Sequence, residues 1–186
     1  MNNKRADVLA LAQTGAYAMR IIKRATEPDA DADYVRRLRL WATDCAARAV
    51  LLIVEHKDAF SDAVAAIEAA RAYARGKIEA AGLSPFRCNA ACKFCIDCER
   101  TAFSVKAEVS LCAALTAQED VWFGARRAAE HARQAVINAT MRRHRRALDP
   151  TRNAYEDELH WQTERLVLWL DPTEPKEWPI RIASSL

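Results

Sequence analysis

Four of the six cysteines in this 186-residue chain lie within one short segment, RCNAACKFCIDCER. Their spacings of four, three and three residues place the thiols in one sector of a helix. The four residues of this cysteine cluster are Cys88, Cys92, Cys95 and Cys98. Thiolates select soft metals, including Cu(I), zinc and iron–sulfur clusters. The spacing therefore predicts a line of sulfur atoms that faces the protein interior and can bind a metal.

The other two cysteines extend this candidate metal site. Cys112 lies two heptads beyond Cys98 and falls close to the same side of a helix, and Cys45 lies on the inward face of an earlier helix. Four thiols along one straight helix cannot all reach a single tetrahedral ion, so the pattern favours Cu(I) spread over several thiolates above one zinc ion. The segment resembles, over this stretch only, the cysteine-bearing helices of bacterial copper storage proteins, which are also helical bundles.

Three other interpretations of the cysteines stay open. The thiols can be small apolar side chains that pack in an Ala-rich core, with or without redox sensitivity. They can form disulfides, although these spacings suit a disulfide poorly within one helix. The chain can be an enzyme whose cofactor lies on the cluster. The first three cysteines match the C-x3-C-x2-C spacing of radical S-adenosylmethionine enzymes, but those enzymes resemble partial barrels whose parallel strands this sequence lacks.

Composition and periodicity predict an all-α protein. Apolar residues make up 51% of the chain and charged residues 28%, and the four glycines and six prolines leave few helix breakers among the many alanines. We expect a single antiparallel helical bundle of about six helices. The predicted helices span about 3–25, 33–57, 61–82, 85–115, a segment from the Thr116–Glu119 capping box to 147, and 152–170.

The predicted organisation is one domain over 1–186. It has an N-terminal helix in 1–25, a bundle core in 33–170 and a proline-containing tail in 171–186. The longest apolar run has six residues, too short to span a membrane, so we expect a cytoplasmic protein without a membrane partner. A net charge of +3 gives no reason to expect nucleic acid as a partner. The basic run Arg142–Arg146 is interpreted as cations at a helix C-terminus, with a phosphate or acidic partner as the alternative.

The remaining polar residues predict no catalytic centre. The four histidines are scattered, and no Ser–His–Asp arrangement or phosphate loop is present in the sequence. Trp41 and Cys45 lie four residues apart on one apolar face, so we expect them to be buried together.

Two stretches resemble a known family. Residues 38–78 contain the pattern Leu-x-x-Trp-Ala-x-Asp-Cys-Ala, followed by Ala-Ile-Glu-Ala-x-Arg-Ala-x-Ala-x-Gly, and residues 158–170 contain Trp-Gln-x-x-Arg-Leu. These patterns resemble Ala-rich bacterial proteins described as immunity proteins. The matching residues are Leu38, Trp41, Ala42, Asp44, Cys45, Ala46, Ala66, Ile67, Glu68, Ala69, Arg71, Ala72, Ala74, Gly76, Trp161, Gln162, Arg165 and Leu166.

The resemblance implies a helical domain that binds and silences a toxin, and it supplies no catalytic residues. The chain departs from the family pattern in its middle, where the cysteine cluster replaces an Ala- and His-rich helix. We therefore expect a non-enzymatic binding protein with a protein partner. The alternative is a helical-bundle protein that binds copper, zinc or an iron–sulfur cluster through its thiolates.

Overall fold

The protein is all-helical. A computed structural model describes residues 4–13, 18–27, 31–98, 104–143 and 148–171, with only the backbone in 92–98 and 148–149. In these ranges it contains eight α-helices and no strand. The helices are α1 (Lys4–Gln13), α2 (Ala18–Ala25), α3 (Ala32–Val50), α4 (Lys57–Ala74), α5 (Ser84–Cys98), α6 (Val105–Thr116), α7 (Val121–Arg143) and α8 (Leu148–Leu170).

The described ranges contain eight helices where the sequence predicted about six, because two of the predicted helices each correspond to two helices of the structure. The segment 3–25 contains both α1 and α2, and the segment 85–115 contains both α5 and α6. Helix α6 has its own start: Ser104 has an extended backbone, and its hydroxyl accepts a hydrogen bond from the amide of Ala107 at 3.2 Å. This is N-cap geometry, which satisfies an amide that has no partner within the helix.

The capping box predicted at Thr116–Glu119 is wrong. Thr116 is the last residue of α6, and its hydroxyl donates to the carbonyl of Ala113. Helix α7 is capped instead by Asp120, whose carboxylate accepts from the amides of Trp122 and Phe123 at 3.0 and 3.1 Å. A carboxylate is also favoured by the positive end of the helix dipole, so Asp120 is the better cap at this position.

Helix α4 ends earlier than the sequence predicted. Gly76 has a φ of +68°, which L side chains rarely adopt, and the amide of Lys77 donates to the carbonyl of Ala72. This left-handed glycine closes the helix and satisfies its last carbonyls. The predicted end near Gly82 falls in a short 3₁₀ turn, Ala80–Leu83, that leads into α5.

Helix α3 lies at the centre of the protein and packs against α4, α6, α7 and α8. Small side chains dominate the facing surface of α7 and allow the helices to approach closely. The fully enclosed alanines of α7 are Ala125, Ala128, Ala129, Ala132 and Ala135. Trp41 and Cys45 are both completely buried, which confirms that these two residues share the core.

No helix in the described ranges is both long and apolar enough to cross a membrane. The predicted tail beyond residue 171 and the His144–Arg146 part of the basic run lie outside the described residues, while Arg142 and Arg143 are exposed at the end of α7.

Candidate functional site

Charged side chains fill the interface between α3 and α8, which makes this interface the first candidate for a functional site. Asp44, on α3, is fully buried. Its Oδ2 accepts hydrogen bonds from Nε of Arg165 at 2.7 Å and from Nε1 of Trp169 at 2.8 Å. Its Oδ1 accepts from Nη2 of Arg71, on α4, at 3.1 Å. One carboxylate therefore links three helices.

A second buried carboxylate lies at the other end of the same interface. The Oε2 atom of Glu158 accepts from Nε of Arg48 at 2.8 Å, and its Oε1 accepts from the side-chain amide of Gln162 at 3.1 Å. Gln162 also donates to the carbonyl of Ala129 and accepts from Nη1 of Arg133 at 2.5 Å. Burial raises the pKa of Glu158, and the charge of Arg48 opposes that shift.

These side chains form two hydrogen-bonded groups along the interface of α3 and α8, which together we call the α3–α8 network. Nε1 of Trp41 donates to the backbone carbonyl of Gln162 at 2.8 Å, which joins α3 to the group around Glu158. The partners follow opposite order along the two helices, with Arg48 against Glu158 and Arg37 against the carbonyl of Trp169. The network consists of Arg37, Trp41, Asp44, Arg48, Arg71, Arg133, Glu158, Gln162, Arg165 and Trp169.

Two arginines of α3 bind the carbonyls at the ends of other helices. Arg37 donates to the carbonyls of Trp169 and Asp171 at the end of α8. Arg39 donates to the carbonyls of Thr116 and Gln118 at the end of α6, at 2.9 and 2.7 Å. The last carbonyls of a helix have no partner within it and carry partial negative charge, so each arginine stabilises a helix end.

The α3–α8 network fits a structural role better than acid–base catalysis. A catalytic carboxylate must reach the proton that it transfers, directly or through one water molecule. Asp44 is fully enclosed, and its oxygens accept from two arginines and a tryptophan. Its hydrogen bonds hold α3, α4 and α8 in register.

Cys45 and Cys112, two of the predicted metal ligands, lie inside the core. Burial raises the pKa of both thiols, and the charge of Glu158 adds to the shift. The thiol of Cys112 contacts the carbonyl of Ala128 at 3.0 Å, as a hydrogen-bond donor. Metal ligation needs the thiolate, so this environment favours two neutral, packed thiols.

The predicted inward orientation of the cysteine cluster is wrong at Cys88, whose side chain is exposed. Helix α5 runs through all four cluster positions, as the spacing predicted, but the side chains of Cys92, Cys95 and Cys98 lie outside the described atoms. Among the side chains that the structure does describe, no group of three or more His, Cys, Asp or Glu residues is placed to hold a metal ion.

The sequence analysis missed a pairing between His131 and Glu108. Nδ1 of His131, on α7, lies 2.6 Å from Oε2 of Glu108, on α6, and both side chains are mostly shielded from solvent. The two residues are 23 positions apart, so only the packing of α6 on α7 brings them together. No sequence spacing pointed to this pair.

Comparison of the chain with protein-family models, with curated proteins and with solved structures yields no match.

Proposed function

We propose that the protein is a non-enzymatic binding protein of the immunity type, which acts in the cytoplasm by binding and silencing a bacterial toxin. The observation that carries the proposal is the position of the polar residues in the family-like patterns. Asp44 binds Arg71 and Arg165, and Trp41 binds the backbone of Gln162. Hydrogen bonds inside the protein therefore join the three matching patterns to one another.

This arrangement separates the scaffold from the binding surface. The residues that pack the core are buried, and a protein partner would contact the residues that remain exposed at the surface. The exposed large apolar side chains include Leu51, Phe86, Phe123 and Leu168. Aromatic and apolar side chains of this kind supply binding energy at protein interfaces. We propose that the remaining helices complete an antiparallel bundle and that specificity lies in such surface residues.

The test is co-expression of the full chain with a toxin encoded beside its gene. We expect the wild-type chain to restore growth and to co-elute with the toxin on size-exclusion chromatography. Phe123→Glu alters the surface and is expected to weaken the complex, while Glu156→Gln, at an exposed pair on α8, is a matched surface control. Growth that stays arrested with every neighbouring toxin would contradict the proposal.

The second candidate function is metal binding by thiolates, favoured by the continuous α5 helix beneath the cysteine cluster. A helix brings residues at these spacings to one side, and Cu(I) can be shared among several thiolates. Because Cys45 and Cys112 are buried as neutral thiols, we exclude them from the candidate metal ligands. The remaining ligands are Cys88, Cys92, Cys95 and Cys98.

Elemental analysis of protein purified without chelator tests this candidate, with an ultraviolet–visible spectrum to detect iron–sulfur clusters. Bound copper or zinc that is lost when the four cluster cysteines are replaced by Ser, but kept in a Cys45→Ala and Cys112→Ala variant, would support it. Metal-free protein whose melting temperature is unchanged by added Cu(I) or zinc would exclude it.

A further inference from the structure

A cavity of about 240 Å³ lies between α2 and α7, away from the cysteine cluster and beside the buried polar core. Four of its side chains are cationic and one is a carboxylate. The residues that line it are Met19, Arg20, Ile22, Lys23, Arg126, Glu130 and Arg133. Such an excess of cations in a concave site focuses a positive potential and attracts anions.

Arg133 is the least usual of these residues, because its side chain is 96% buried, with 4% of its surface exposed. Its one hydrogen bond within the described part of the chain goes to the neutral side-chain oxygen of Gln162. It makes no ion pair with a carboxylate that the structure describes; the buried Glu158, whose pKa it helps to lower against the effect of burial, is bonded to Arg48 and reaches Arg133 only through the side chain of Gln162. A buried guanidinium costs free energy unless an anion or several acceptors surround it, so this charge favours an anionic ligand in the cavity that Arg133 lines.

The acidic groups nearby are already paired with other arginines. Glu130 binds Arg126 at 3.3 Å and Arg127 at 2.7 Å. Arg24, which lines a neighbouring cavity together with Arg20 and Lys23, binds both Asp7 and Glu27. Arg20 and Lys23 make no ion pair with any carboxylate that the structure describes, although both line the cavity. Arg20, Lys23 and Arg133 are therefore the three cations of the cavity that form no ion pair with a carboxylate in the described part of the chain.

We propose that this cavity binds a small phosphate monoester. A phosphate dianion matches several converging cations, and an arginine fork can bind two of its oxygens at once. Met19 and Ile22 give the cavity an apolar wall, which suits the organic part of an ester. The volume lies below the range of about 300–1,000 Å³ typical of drug-sized ligand pockets, so the ligand is small. This binding is independent of the proposed toxin partner.

Isothermal titration calorimetry on the full chain at low ionic strength tests the proposal, with inorganic phosphate, phenyl phosphate and benzoate as probes. We expect phenyl phosphate to bind more tightly than phosphate, because only the ester contacts the apolar wall, and more tightly than benzoate, which carries one charge. Arg133→Gln is expected to weaken phenyl phosphate binding by about tenfold or more, since a charge-assisted hydrogen bond is lost.

Three further variants separate this site from general charge effects. Arg20→Gln and Lys23→Gln alter exposed residues and keep the test valid if Arg133→Gln fails to fold; each is expected to weaken binding several-fold. Glu130→Gln removes the one carboxylate in the cavity and is expected to tighten binding. Arg143→Gln, an exposed residue on the same helix α7, is the control and leaves binding unchanged.

The proposal is overturned if phenyl phosphate gives no binding heat at millimolar concentration. It is also overturned if Arg143→Gln weakens binding as much as Arg20→Gln, because the effect is then one of net charge. Benzoate that binds as tightly as phenyl phosphate would exclude the preference for phosphate.

Discussion

The Oδ2 atom of Asp44 accepts a hydrogen bond from Nε of Arg165 at 2.7 Å, which joins two residues 121 positions apart in the chain. The same carboxylate binds Arg71, so one negative charge faces two guanidinium groups in the interior. Breaking a buried pair by removing one partner is costly, because the remaining charge loses both its partner and its water. Asp44 therefore anchors the part of the α3–α8 network that contains Arg71, Arg165 and Trp169.

Asp44→Asn keeps the shape of the side chain and removes its charge, leaving Arg71 and Arg165 without their buried counter-ion. We expect the free energy of unfolding to fall by about 3–5 kcal/mol, measured by urea denaturation. Glu156→Gln, which breaks an exposed pair with Arg152, is the control and should cost less than about 1 kcal/mol. Similar losses in the two variants would mean that Asp44 is not a buried anchor.

Glu158→Gln tests how the burial of Glu158 makes the stability of the protein depend on pH. Because burial raises its pKa above the ordinary value near 4.5, folded Glu158 holds its proton at pH values where the unfolded chain has lost it. Its contribution to stability is full below pH 4.5 and is lost as the pH rises through the raised pKa. We expect the stability of the wild type relative to Glu158→Gln to fall with rising pH, by at most about 1.4 kcal/mol per pH unit.

Urea denaturation of both proteins from pH 4 to pH 8 measures this difference. Glu156→Gln serves again as the exposed control, and the wild type relative to it should show a much smaller change over that range. A difference that stays flat or grows with pH would show that Glu158 is ionised at least as easily in the folded protein as in the unfolded chain.

The cysteine thiols should differ in how fast they react with a disulfide reagent. Thiolates are the reactive species, so the exposed Cys88 should react with a disulfide reagent in the native protein, while Cys45 and Cys112 should not. Cys88→Ala is expected to lower the number of thiols titrated under native conditions by one. Cys45→Ala and Cys112→Ala should lower only the number titrated in guanidinium. If Cys112→Ala lowered the number of thiols titrated under native conditions, the thiol of Cys112 would be accessible in the folded protein.

Local periodicity was enough to predict the helical class and the burial of Trp41 with Cys45, because both depend on which residues share a helix face. The divisions of the predicted helices were not foreseen. A helix boundary depends on which of several capping residues satisfies the free amides, and at α7 Asp120 was preferred to Thr116. The orientation of Cys88 depends on how α5 packs against its neighbours, which its own spacing does not determine.

The residues of the α3–α8 network on α3 and α8 follow a regular spacing in the sequence. Polar or aromatic residues recur at intervals of four, three and four on α3 and, with the same intervals, on α8. They are Arg37, Trp41, Asp44 and Arg48 on α3, and Glu158, Gln162, Arg165 and Trp169 on α8. Charged residues at inward positions of two helices indicate that the helices pair with each other. Which arginine binds which carboxylate still required the packed structure.

Gly124 allows the close approach of α6 and α7. A Cβ atom at this position would lie 2.6 Å from the carbonyl oxygen of Leu115 and 3.0 Å from Cβ of Gln118. The carbonyl belongs to the backbone and cannot move aside without displacing α6. Gly124→Ala should gain up to about 1 kcal/mol of helix propensity, yet we expect a net loss of about 1–3 kcal/mol in the free energy of unfolding.

Gly82→Ala is the matched control for this substitution. There the nearest atom to a new Cβ is Cδ1 of Ile78 at 3.6 Å, an ordinary van der Waals contact. Because Ala reduces the freedom of the unfolded chain, this variant should be unchanged or more stable by about 0.4–1 kcal/mol. Chemical denaturation measures the free energy of unfolding of both variants, which should fall in Gly124→Ala and stay the same or rise in Gly82→Ala. If Gly124→Ala were as stable as Gly82→Ala, α6 and α7 would have to lie farther apart than the structure places them.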